Sequence, residues 1–177
     1  MAVLPSVTLD ALPENLEDFV ALRDRVAVTP QGGAAILVTA LLLYVRDRDL
    51  GLQCLSAVMT HERLSEGHGG YDGRRVRTAD AQHVALQLKK QTYLPASYIK
   101  GATPANGYEL PAPPYVVECS GNPYSGDLES GTYKIFVECS GASTPRPVTL
   151  KRDEQGIWKA HEWSTLTVGI QQPVQKA

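Results

Sequence analysis

The chain has 177 residues, 43% of them hydrophobic and 20% charged, and its 17 basic and 19 acidic side chains leave a net charge of -2. That is the composition of a folded globular chain, long enough to bury most of its apolar surface in one domain over residues 1–177, and it excludes intrinsic disorder and a membrane class. With no basic excess there is no field to gather phosphate backbones, so nucleic acid is not an expected partner.

Met1 to Val7 carries no basic residue ahead of its apolar part and meets Pro5 at once, unlike a secretory signal, so the expected location is the cytoplasm with no membrane contact. The three cysteines, Cys54, Cys119 and Cys139, lack metal-binding spacing. In a reducing compartment they read as small buried hydrophobes, and no metal or other cofactor is expected.

Residues 1–92 read as a helical half. Leu16, Phe19, Val20 and Val26 recur at helical spacing behind Pro13-Glu14, with Glu17 and Asp18 near the start where the helix dipole favours acids. Thr29-Pro30 reads as an N-cap followed by proline at the first helical position, and Ala34 to Val45 is apolar all round apart from Thr39. These twelve residues fall short of the ~20 that cross a bilayer, so the segment is a core helix. Gly32 and Gly33 near its start permit a close backbone approach. Asp47 or Asp49 caps a third helix whose Leu52, Leu55, Val58 and Met59 form one face.

From Thr60 to Arg77 apolar periodicity is lost, and Glu66 to Gly73 holds four glycines in eight residues, which predicts a surface loop. A fourth helix follows from about Thr78, with Ala81, Val84, Ala85 and Leu88 on one face and Lys89-Lys90 at its end. Residues 93–107 are a turn-rich crossing. Residues 108–170 read as a sheet half with strands over Tyr115 to Gly121, Thr132 to Gly141, Arg146 to Arg152 and Ile157 to Ile170, followed by a tail over 171–177. The fold class is therefore α+β, with N-terminal helices packed on a C-terminal, mostly antiparallel four-stranded sheet.

In the second half the segments Tyr93-Leu94-Pro95, Ser97-Tyr98, Gly101-Ala102-Thr103-Pro104, Asn106-Gly107-Tyr108, Asn122-Pro123-Tyr124-Ser125, Pro145-Arg146-Pro147 and Trp158 through Glu162 to Leu166 follow one another. This succession resembles a bacterial family of domains of unknown function. The resemblance implies a bacterial α+β domain and transfers no catalytic residue.

Along the last predicted strand, Trp158, Ala160, Glu162, Leu166, Val168 and Ile170 share the more apolar face, so Glu162 is expected to point inward. An inward carboxylate needs a partner, and Arg146, between two prolines at the start of the neighbouring strand, is the first choice. A β-bulge near Glu162 would reverse that facing.

The twin segments Val117-Glu118-Cys119-Ser120-Gly121 and Val137-Glu138-Cys139-Ser140-Gly141 suggest a thiol nucleophile near His161. A strand cysteine flanked by glutamate has the wrong local field for a thiolate, and two matching strand ends explain the repeat better. His61, Glu62, His68 and Asp72 carry metal-ligand atoms without ligand spacing and read as a solvated loop. The tyrosines near the crossing, Tyr93, Tyr98, Tyr108, Tyr115 and Tyr124, either offer area and hydroxyls to a partner or pack the irregular segment onto the sheet.

The favoured function is a non-catalytic interaction or accessory module with a protein partner. The alternatives are a small-ligand-binding domain or hydrolase built on Glu162 and Arg146, and an immunity-type protein that binds a toxin. An unpaired first strand would allow a homodimer by sheet extension.

Overall fold

The computed structural model describes residues 1–175. In chain order its elements are β1 (Ala2–Val3), β2 (Val7–Leu9), α1 (Leu16–Val26), α2 (Pro30–Arg46), α3 (Arg48–Val58), β3 (Leu64–Tyr71), β4 (Arg74–Val76), α4 (Thr78–Lys90), β5 (Tyr115–Val117), β6 (Cys119–Gly121), β7 (Thr132–Val137), β8 (Arg146–Arg152) and β9 (Trp158–Glu162). Short 3-10 turns at His61–Arg63, Pro95–Tyr98, Pro104–Asn106, Leu128–Ser130 and Ser164–Thr167 join them.

The first three helices start at side chains that satisfy free backbone N–H groups. Asn15 accepts from Asp18 N at 2.8 Å, Thr29 from Gly32 N at 3.1 Å, and Asp47 from Leu50 N at 3.2 Å. α2 is buried without a break from Gly32 to Leu41, and its one hydroxyl there, on Thr39, donates to Ala35 O at 2.8 Å. A helix that is apolar all round must be covered all round. α1 and α3 cover one side of it, and β7, β8 and β9 cover the other through Ile135, Val137, Val148, Leu150, Trp158 and Ala160. Two glycines set the spacing. A Cβ on Gly33 would stand 2.6 Å from Trp158 O, and one on Gly51 of α3 would collide with the backbone of Tyr44 in α2.

The architecture is α+β with four helices, as expected, but the main sheet has five antiparallel strands in the order β1-β6-β7-β8-β9. The segment expected as one strand over Tyr115 to Gly121 breaks at Glu118: β5 pairs with β2, while β6 lies between β1 and β7. Both pieces of the first predicted strand are thus covered by the N-terminal residues. The unpaired edge on which a homodimer by sheet extension was expected is already occupied.

Residues 60–77 are not a loop. After the turn at His61–Arg63, β3 and β4 form a hairpin against α3, with a register shift between Glu66 and Tyr71. Gly69, at φ 86°, lies within this irregularity, and Gly73, at φ 74°, in the turn that joins the two strands. The last strand stops at Glu162, well short of Ile170, and Met59 forms a parallel bridge to Ala160 at its outer side. Among the described residues no helix is long and apolar enough to cross a membrane.

Gly51→Ala tests the helix spacing. Intrinsic propensity favours alanine by ~1 kcal/mol, but the collision with Tyr44 outweighs it. The expected result is a net loss of about 1–2 kcal/mol, seen as a lower urea midpoint at unchanged slope.

Candidate functional site

The pairing of β8 with β9 runs Lys151 to Lys159 and Leu150 to Ala160, then shifts so that Thr149 faces Glu162. His161 is the extra residue of a β-bulge. Up to Ala160 the alternation is as the sequence predicts, with Trp158 and Ala160 buried. Past the bulge the phase reverses: Glu162 is exposed, and Trp163 turns inward at 4% exposure. The inward Glu162 expected from strict alternation is therefore corrected, and so is its pairing with Arg146.

On the outward face of the sheet the bulge opens a cleft of about 390 Å³. Its lining includes Thr149, Lys134 and Pro147 of β7 and β8, His161, Glu162, Ser164 and Thr165 at and after the bulge, and Arg63 and Asp80 from the helical half. Asp80 comes from the first turn of α4, and Arg63 from the turn that precedes β3.

Arg63 is half-buried. Among the described residues its Nε is the buried side-chain polar atom left without a hydrogen-bond partner. His161 Nδ1 lies 2.9 Å from Thr60 Oγ1 and 3.9 Å from Glu62 Oε2. Burial, and then the charges of Lys151 and Arg63, hold the imidazole below its usual pKa, against the opposite pull of Glu62 and Glu162. Glu162 Oε2 is 3.5 Å from the Thr149 hydroxyl, a long contact that leaves the carboxylate available.

The other predicted residues do not join this cleft. Arg146 donates through Nη1 to the carbonyls of Thr165 and Val168 and through Nη2 to Gly169 O at 2.9 Å. Tyr98, 1% exposed, donates to Leu166 O at 2.7 Å, and Tyr108, 4% exposed, donates to Gln171 O and stacks on Tyr93 with ring centroids 5.0 Å apart. Arg146, Tyr98 and Tyr108 thus hold one irregular C-terminal segment to the body of the fold, so for these two of the five tyrosines the packing alternative applies and not the surface one. Tyr124, 92% exposed on the turn after β6, is the one that faces solvent.

All three cysteines are free and buried. Burial pushes the Cys54 thiol up to about 12, and burial together with Glu138 and Glu118 pushes Cys119 up to about 12, the reverse of an activated nucleophile. Among the described residues no three His, Cys, Asp or Glu side chains are grouped to hold a metal ion.

A family model described as Domain of unknown function (DUF6935) matches residues 11–174. The chain belongs to this family. No curated protein and no solved structure matches the chain. The matched span of the DUF6935 domain includes every residue of the cleft and the whole stapled segment, whereas β1 and β2 lie outside it.

Sequence reasoning missed Arg63, Asp80 and Ser164. Arg63 lay in a segment read as a loop, and nothing in its local sequence marks Asp80, in the first turn of α4, as a site residue.

Two predictions follow from this geometry. Arg146→Met removes three charge-assisted bonds, so stability should fall by about 2 kcal/mol with faster hydrogen exchange over residues 164–170. Arg146→Lys should fail to restore either, because an ammonium lacks the planar fork. The second concerns pH. His161 titrates lower in the folded than in the unfolded chain, where its pKa is about 6.5, so its contribution is complete above that value and is lost as pH falls through the folded pKa. Replacing His161 by Gln should flatten the acid limb of a stability-versus-pH curve.

Proposed function

We propose that the DUF6935 domain is a non-catalytic cytoplasmic binding domain that takes a small polar ligand in the cleft at the bulge. The observation that carries this reading is the unpartnered Nε of Arg63. A buried donor left unmade costs about 1–3 kcal/mol, and more when charged, so the free protein holds Arg63 there at a loss that a bound acceptor would recover. A guanidinium suits a carboxylate or phosphate group, while Glu162 and Asp80 on the surrounding walls suit the hydroxyl or amine donors of the same molecule. The ligand is thus anionic at one end and a donor at the other.

Binding without turnover is the better account because the site offers no activated nucleophile. The hydroxyl that its imidazole meets through Nδ1, that of Thr60, is buried and does not line the cleft, and the thiols with raised pKa are buried elsewhere.

Arg63→Met tests the reading before any ligand is known. Removing a buried unpaired donor while keeping the aliphatic stem should raise the stability of the free protein by about 1 kcal/mol. In a thermal-shift screen of small hydroxy- and amino-carboxylates and phosphate esters, the hits should vanish in this variant and in Glu162→Gln, with the fold retained. A loss of stability in Arg63→Met, or hits indifferent to both changes, would remove the basis for the site.

A second reading, a docking module for a protein partner, rests on Tyr124, which lies with the half-exposed Leu128 between β6 and β7. Tyr124→Ala should then release a stoichiometric partner captured from lysate of the source organism without changing the melting temperature.

A further inference from the structure

The cleft at the bulge takes Asp80 from a helix whose own hold on the fold is slight. Unlike the first three helices, α4 gains no cap hydrogen bond from its N-cap side chain, Arg77, among the described residues, and within it Val84 and Leu88 alone are buried. A helix with so small a buried face keeps its place through its neighbours. Of the fold's other elements, α4 packs most against the turn at Ser164–Thr167.

The polar link between helix and turn is the half-buried His83. Its Nε2 lies 2.7 Å from Thr167 Oγ1, and the one hydrogen of that hydroxyl is already donated to Ser164 O at 2.7 Å. Thr167 Oγ1 must therefore accept, so His83 carries a proton on Nε2 and donates it. The same ring meets Trp163 edge-on, with centroids 6.5 Å apart at 61°.

Asp80, one turn earlier on the same side of α4, lines the cleft, and so do Trp163, Ser164 and Thr165 at the turn that His83 holds. One turn earlier again, Arg77 donates to Glu62 O, the carbonyl next to Arg63. The helix is thus tied at Arg77 to the turn that carries Arg63 and at His83 to the turn that carries Ser164, and Asp80 stands between the two ties.

We infer that His83 is a positioning residue of this cleft: through Thr167 it fixes Asp80 relative to Ser164 and Thr165, and so sets the part of the site that takes an amine. This role rests on the cleft being a ligand site, as proposed above. Arg63 reaches the cleft from a different element and meets the anionic end of the ligand. His83 therefore governs selectivity, favouring a molecule that joins an ammonium to an anion over the anion alone. The bond from an ammonium to a carboxylate is charge-assisted and weakens steeply once its geometry is lost.

The test is calorimetric titration of the full chain with O-phosphoethanolamine and with monoethyl phosphate, which differ by the ammonium. Wild type should prefer the first, and Arg63→Met should lose both. His83→Phe keeps a ring against Trp163 but has no donor, so it should weaken O-phosphoethanolamine about tenfold and monoethyl phosphate by less than about twofold. His83→Gln, whose amide N–H can replace that of Nε2, should restore the preference. On an Asp80→Asn background His83→Phe should cost nothing further, because its effect passes through Asp80. In the free protein, His83→Phe should quicken amide exchange over residues 78–82 and 163–167 together. No preference for the amine in wild type, no weakening or equal weakening of both probes by His83→Phe, an undiminished effect beside Asp80→Asn, or no rescue by Gln would overturn the role of His83 and leave the cleft a binding site. Binding of neither probe by wild type, or binding indifferent to Arg63→Met, would remove the site itself and this role with it.

Discussion

The contact that orders the rest of the molecule is the seat of α2 against β9. An all-apolar helix gains its stability only by removing its whole circumference from water, and in a two-layer fold that requires helices behind it and a sheet in front. At Gly33 the helix has no side chain, so it comes close to the Trp158 carbonyl, and the Trp158 N–H donates to Ala27 O at 2.8 Å in the bend that leads into the helix. β9 is thereby held at its start. Its other end is free to bulge at His161, and that freedom produces the cleft.

Around this seat the polar residues divide their labour. Arg146, Tyr98 and Tyr108 are spent on carbonyls of one segment that has no ladder of its own, because a buried irregular backbone must find donors somewhere. Arg23, only 5% exposed, does the same between helices: its Nη1 donates to Ala57 O at 2.8 Å while its guanidinium lies over the Tyr71 ring. Arg63 stands apart from these, since its surroundings leave Nε unanswered.

The helices were legible because their signals are local. Thr29-Pro30, Asp47 and the apolar run after Ala34 each specify an end or a face within a few residues. The sheet was legible in class but not in extent. Nothing near Ala2 and Val3 announces that they pair with Ser120 and Gly121, a choice made by shape and not by sequence pattern. Alternation identified the buried Trp158 and Ala160, and then failed at one inserted residue, which is all that is needed to turn Glu162 outward. The tyrosines left two readings open for a different reason. Turn-rich sequence suggests surface, yet Tyr98 and Tyr108 are buried there because their hydroxyls serve as donors to backbone, a use that composition does not reveal. The twin segments were correctly expected to bury their cysteines, but they are not matched strand ends: Cys119 to Gly121 form a strand of their own after the break at Glu118, whereas Cys139 to Gly141 follow the end of β7.

The position of β9 near the far end of the chain also bears on how the protein reaches its native state. As the chain leaves the ribosome, α1, α2 and α3 can pair early, but the sheet side of α2 stays wet until residues around Trp158 arrive. Closing so long a loop comes before its reward, which slows folding and leaves an apolar helix face open to other chains meanwhile. The nascent N-terminal half is thus the natural client for a chaperone, and truncation before β9 should yield an aggregating fragment, not a stable helical domain.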